Sequence, residues 1–255
     1  MARKSNFLNA FLVGCDPEVV CVDAAGNQVH VDRTITKDGQ IGWDHGGRVM
    51  EFRPTPHKGT YTLVKDIKEL ITGAPAGIRK YRWLSGAYVK FPNEAGESLG
   101  GHVWLDLNPN SAIQSTRVKA LDRLTESLER LDILPRQECI VRRRGKYGKF
   151  ADVRTVQGDR PRFEYRTMAS WMYNPATAFL CLTAAKMAAY DPEGAAKALK
   201  PEEASWKGLT EWLEGYAEDC NVARLSEKVF PKGLKKVQYH PDVDVKEAWA
   251  GKLGF

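Results

Sequence analysis

Four short segments, far apart in the chain, repeat one pattern. Asp16-Pro17-Glu18, Glu51-Phe52-Arg53, His102-Val103-Trp104 and Glu164-Tyr165-Arg166 each place polar or large functional side chains two positions apart. On a strand, residues i and i+2 share a face. Laid side by side, these strands form a sheet with one apolar face for a core and one face floored by carboxylates, an imidazole and arginines. Such a floor is costly to bury unless its charges pair or hold cations.

The fullest example runs from Asp44 to Pro56. His45-Gly46-Gly47 is a turn, and Val49, Glu51 and Arg53 then share one face while Met50 and Phe52 share the other. Pro54 and Pro56 end the strand, because neither donates to a ladder. Gly100-Gly101 precedes His102 as Gly46-Gly47 precedes the Glu51 strand, and glycine doublets permit close backbone approach or positive φ.

The remaining elements fit an α+β chain. Residues 11–23 read as a strand, with a hairpin turn at 24–27 and a return strand at 28–31. Residues 60–72 read as a helix capped by Thr60. Residues 111–134 read as the best amphipathic helix, with Val118, Leu121, Leu124, Leu128 and Leu131 on one stripe. Residues 138–142 read as a strand, 142–149 as a basic loop and 158–161 as a turn. Asn174-Pro175 opens a nearly all-apolar helix reaching about 190, with cap and first-turn proline in order. Beyond 190 the chain turns Ala/Lys/Glu-rich, giving one or two helices to about 217, and 228–255 reads as a tail or extended wrap. The expected division is a catalytic domain over 1–190 with a helical extension, 191–255, packed on it.

Composition narrows the class. The chain of 255 residues is 43% hydrophobic and 27% charged, ordinary for a globular protein. No apolar run approaches the ~20 residues that span a bilayer. The apolar residues 7–14 read as a first strand, not as a signal peptide. The five cysteines are scattered and form no CxxC pair, which fits reduced thiols in a cytoplasm. A net charge of +6 permits an anionic partner, and the densest basic cluster is Arg142 to Lys149. That cluster reads as a solvated loop, a nucleic-acid patch or a lid over phosphates. Neither a Walker A sequence nor a GxGxxG loop is present.

Three carboxylates and an imidazole converging from separate strands suit Mg²⁺ or Mn²⁺. Metals would in turn hold phosphates, and arginines would clamp them. Taken singly, each polar pair also fits a half-solvated antiparallel strand.

The ordered set Gly14-Cys15-Asp16-Pro17-Glu18, Trp43-Asp44-His45-Gly46, Glu51-Phe52-Arg53-Pro54, Gly100-Gly101-His102, Arg144 to Arg154 and Glu164-Tyr165-Arg166-Thr167 resembles the phage-type carboxylate-amine ligases, the amidoligase branch of the glutamine synthetase-like superfamily. The resemblance covers roughly residues 11–190. It implies a curved antiparallel sheet with helices on its back, ATP, Mg²⁺, and an acyl-phosphate route to an amide. It maps Glu18, Glu51 and Glu164 to metal-holding positions. His102, Arg53, Arg144, Lys146 and Arg154 then face the nucleotide, and Asp16, Asp44 and Arg166 serve the chemistry, either aspartate as general base. Trp104 stands where family members often carry a second histidine, and His45 replaces a glycine. Substrates on this reading are a carboxylate and an amine, on a peptide, protein or modified nucleotide, in a host cytoplasm, with no membrane and with oligomers allowed. The alternatives are a virion or assembly protein that keeps the fold without turnover, contacting other virion proteins, and a nucleic-acid-binding module.

Overall fold

The computed structural model describes residues 11–136, 138–156 and 162–254. The expected turn at 158–161 and the first ten residues lie outside them. In chain order the strands and α-helices are β1 (Val13–Val22), β2 (Gln28–Val29), β3 (Ile41–Asp44), β4 (Val49–Phe52), α1 (Thr60–Gly73), α2 (Ala76–Arg79), β5 (Arg82–Leu84), β6 (Tyr88–Val89), β7 (Glu97–Ser98), β8 (Gly101–Leu105), α3 (Gln114–Arg130), α4 (Glu138–Lys146), β9 (Val153–Val156), β10 (Arg162–Tyr165), α5 (Pro175–Tyr190), α6 (Pro192–Ala198), α7 (Trp206–Glu214), α8 (Cys220–Lys228) and α9 (Val245–Ala250).

β1 is the axis of an antiparallel sheet ordered β3-β4-β1-β8-β10-β9, and its C-terminal end pairs with β2 and β5. Register fixes which residues share a face. Glu18 lies opposite Glu51, Asp16 opposite His102 and Gly14 opposite Trp104, Trp104 opposite Glu164, and Glu164 opposite Arg154. Directly paired residues point the same way, so one face carries every polar pair that the sequence singles out.

The opposite face supplies the core. Cys15, Val19, Met50, Phe52, Val103, Leu105, Phe163 and Tyr165 pack there with Leu63, Val64 and Ile67 of α1, Leu121, Leu124 and Leu128 of α3, and the buried helix α5. α5 begins as its sequence demands: Asn174 accepts a hydrogen bond from the Ala176 amide, and Pro175 sits in the first turn. Toward the end of β1 the polar face is itself covered, by an apolar cluster of Val20, Val22, Val49, Phe91 and Leu99. Gly14 to Asp16, at the other end of the strand, line a cleft on this face.

Three expectations are corrected. Residues 138–146 are helical rather than strand and basic loop; Cys139-Ile140-Val141 has strand-like composition, but Ile140 buries beside Ala87 and Ala169 on one helical side. Gly59, not Thr60, caps α1, and the Thr60 hydroxyl instead meets that of Thr183 at 2.7 Å in the core. The expected tail after 228 folds into short helical turns and α9. Trp249 anchors it, almost fully buried, donating from Nε1 to the Met172 carbonyl at 2.6 Å. Residues beyond 190 share the core with the sheet's helices through Leu209, Leu213, Val222 and Val245.

Candidate active site

The polar floor begins with β1. Asp16 and Glu18 are both buried, side by side on its front face. Glu18 accepts from the Gly100 amide at 2.5 Å. Asp16 accepts from the indole N–H of Trp104 at 2.8 Å. On β8, the His102 imidazole folds back over Gly100, where any Cβ would overlap the ring. That contact is the physical reason for a glycine two residues before the histidine.

His102, Asp16 and Glu164 converge. His102 Nδ1 lies 3.4 Å from Asp16 Oδ1 and 3.5 Å from Glu164 Oε1. One ligand atom from each of the three residues falls within 4.8 Å of the others. Glu164 is fully buried, and Arg154 grips a single oxygen, Oε2, through Nε at 2.7 Å and Nη2 at 2.6 Å. Its other oxygen and His102 Nδ1 have no hydrogen-bond partner. Buried polar atoms left unpaired are costly. Two orphaned donor atoms on oxygen and imidazole nitrogen ligands, aimed at a common point, fit a hard divalent cation.

Glu51 opposes Glu18 across the β1–β4 pair. Burial, then the Glu18 and Asp16 charges, push its carboxyl up to about 7, although Arg53 pulls it down. Glu164 is raised too, by burial first and Asp16 second. Burial opposes protonation of His102, but Asp16 and Glu18 outweigh it and raise its pKa. Four carboxylates and one imidazole thus crowd one floor, an arrangement of ligand types that suits a cation.

The arginines divide by role. Arg53 donates to Glu51 through Nη2, and through Nη1 to the Lys37 and Gly39 carbonyls at 2.6 and 3.1 Å. Arg166 Nε lies 3.4 Å from Glu164 Oε1. Arg154 and Arg53 border a cleft of about 310 Å³ with Lys37, Asp16, Asp44 and Glu51. Arg144, expected at the nucleotide, instead reaches both oxygens of Glu129 at 2.7 Å. Lys146, expected there too, points its ammonium over the Tyr88 ring, 6.0 Å from the centroid. Both placements follow from α4 being a helix rather than a loop over the floor.

Asp44 faces the same cleft, but its carboxylate also accepts from the His45 amide at 2.8 Å and caps the turn. His45 takes a left-handed φ of 50°, followed by Gly46 at 67° and Gly47 at 85°. The histidine tolerates this conformation, ordinarily reserved for glycine, with Glu97 3.5 Å from Nδ1 and the Tyr147 ring 5.5 Å away.

One residue escaped the sequence reading. Arg143 is 1% exposed and donates from Nη2 to the Arg166 and Met168 carbonyls at 2.7 and 3.1 Å. It pins α4 to the chain leaving β10 and places a guanidinium whose charge is felt by Glu18. With Arg143 inside the fold and Arg144 on Glu129, the basic cluster loses two of its charges as a surface patch. Helical spacing of Ile140 and Arg143 was the available signal, masked by the density of basic residues.

Comparison with known proteins gives a family and two structural neighbours. A family model described as Phage phiEco32-like COOH.NH2 ligase-type 2 matches residues 13–249, and the chain belongs to that family. Among solved structures, the Pup ligase PafA in complex with the prokaryotic ubiquitin-like protein Pup superposes with a TM-score of 0.51 at 10% identity, over 92% of this chain and 65% of that one. A bifunctional glutathione synthetase from Pasteurella multocida gives 0.49 at 10% identity, over 95% and 49%. The chain therefore spans less than two thirds of the length of either neighbour. No curated protein matches it.

Proposed function

We propose that the protein is an ATP-dependent ligase joining a carboxylate to an amine through an acyl phosphate. The observation that carries this is the convergence of Asp16, His102 and Glu164, in which the buried His102 Nδ1 and Glu164 Oε1 have no hydrogen-bond partner. Glu18 and Glu51, opposed in register, form a second carboxylate pair on the same floor. Asp16, His102 and Glu164 would hold one Mg²⁺ and Glu18 with Glu51 another. Bound there, the ions would neutralise phosphoryl oxygens and let ATP activate a carboxylate that is otherwise a poor electrophile.

The chain's own groups do the rest. Arg154, beside the cleft and half exposed, is placed to contact phosphoryl oxygens while orienting Glu164. Arg166 stabilises charge that develops as the phosphoryl group moves. Two aspartates border the cleft and either serves as the base that takes a proton from the attacking amine: Asp16, with Oδ1 bonded to Trp104, and Asp44, which caps its turn. The family membership and the PafA-like fold support this reading. PafA acts on a protein, Pup, which makes a polypeptide carboxylate one candidate class.

The test supplies ATP, Mg²⁺ and hydroxylamine with the carboxylates of a bacterial extract. Hydroxamate formation with ADP and phosphate, lost in Glu164→Gln, is the expected result. AMP with pyrophosphate, or turnover that ignores Mg²⁺ and Glu164, would overturn it.

A further inference from the structure

Trp104 divides the front face into two compartments. On one side lies the polar cleft with Lys37, Arg154 and Glu51. On the other is a trough of about 180 Å³ lined by Gly14, Pro54, Pro56 and the indole, and also by the buried Asp16 and the partly exposed Arg162. The two meet at Asp16, Arg53 and Trp104. The trough exists because β1 carries glycine opposite Trp104: a Cβ on Gly14 would stand 3.2 Å from the Pro56 ring and 3.7 Å from Trp104.

The charges lining the trough differ in their partners. Beside Asp16, Arg53 is spent on Glu51 and two carbonyls; Trp104 and His102 both meet Asp16 at Oδ1, so its Oδ2 is the group there able to receive an ammonium. The Arg162 guanidinium lies over the indole, 4.5 Å from its centroid, at a partly exposed position. Resting on the ligase reading above, we infer that the trough is the amine subsite. It takes a primary alkyl amine whose ammonium meets Asp16, whose unbranched apolar stem lies between Trp104 and the two prolines, and whose far end is an anion met by Arg162. Anionic phosphoryl groups are left to the cleft with Lys37 and Arg154. Trp104 then acts twice, as the wall of the subsite and as the donor that orients Asp16.

The experiment follows the Trp104 indole N–H resonance of the full chain, identified by its loss in Trp104→Phe. γ-Aminobutyrate, n-butylamine and butyrate are titrated separately. γ-Aminobutyrate is expected to shift the resonance saturably and to bind about ten-fold more tightly than n-butylamine, as a charge-assisted contact at the far end requires. Arg162→Gln should erase that difference, and Gly14→Ala should weaken both amines. Equal affinity for the two amines in wild type would overturn the anionic end, and no shift by either would overturn the subsite. Binding of Mg²⁺ with a non-hydrolysable ATP analogue, read on the same samples, separates this failure from failure of the ligase reading.

Discussion

His102 Nδ1 lies 3.5 Å from Glu164 Oε1, and neither buried atom has a hydrogen-bond partner. A protein built only for stability would pair them, since each unsatisfied group costs about 1–3 kcal/mol. Stability has been given up at this point, as functional sites commonly require. Several consequences can be measured.

Glu51→Gln should stabilise the cation-free protein. Its carboxyl is pushed up to about 7, so ionisation at pH 8 is resisted by burial and by Glu18 and Asp16. Replacing it with a neutral amide is expected to raise unfolding stability by about 1 kcal/mol in urea titrations without Mg²⁺. The same variant should lose Mg²⁺-dependent nucleotide turnover.

Gly100→Ala tests the approach of the imidazole to the backbone. The new methyl would overlap the His102 ring, so the ring must leave its place beside Asp16 and Glu164. A loss of about 1–3 kcal/mol is expected from overpacking, with weakened Mn²⁺ binding. Retained Mn²⁺ affinity would show that His102 holds no cation.

Glu129 gives a pH signature away from the floor. Burial pushes its carboxyl up to about 7, against an ordinary 4.5, despite Arg144. The folded state therefore holds this proton more tightly than the unfolded chain. Between about 4.5 and about 7, folding takes up a proton, and stability falls as pH rises; the penalty is complete above that window. Its size is roughly 1–3 kcal/mol. Urea unfolding of Glu129→Gln across this range should show a correspondingly flatter slope than wild type.

Lys186 and Asp219 tie α5 to the start of α8 as a fully buried pair, 3.3 Å apart. Asp219 also caps α8 through the Asn221 amide at 2.8 Å. Lys186→Met leaves that carboxylate buried without its cation. The expected loss is about 3–5 kcal/mol in chemical denaturation, and Lys186→Met with Asp219→Asn should lose less than the single variant.

Much of the front face could be read from the chain because strand periodicity is rigid. Once Asp16 and Glu18 are known to share a face, only register is needed to bring Glu51, His102 and Glu164 beside them. The apolar stripe of α3 and the cap of α5 were legible for the same local reason. The partners of each side chain were not. Glu18 was expected to act with Glu51 and Glu164, yet Asp16 is the residue that joins His102 and Glu164, because β1 meets β8 two residues earlier than it meets β4. Arg143 and Arg144 looked alike within one basic run, and only the helix that carries them decides that one reaches backbone carbonyls and the other Glu129. Trp249 sits in a segment without period, and its burial depends on Met172, 77 residues away.

Electron paramagnetic resonance of Mn²⁺ titrated into the purified chain asks whether Asp16, His102 and Glu164 hold a divalent cation. Saturable loss of the free-ion signal is predicted, with affinity falling at least about ten-fold in both His102→Ala and Glu164→Gln. Mn²⁺ binding of unchanged affinity in both variants, or none in the wild type, would show that these three residues hold no cation.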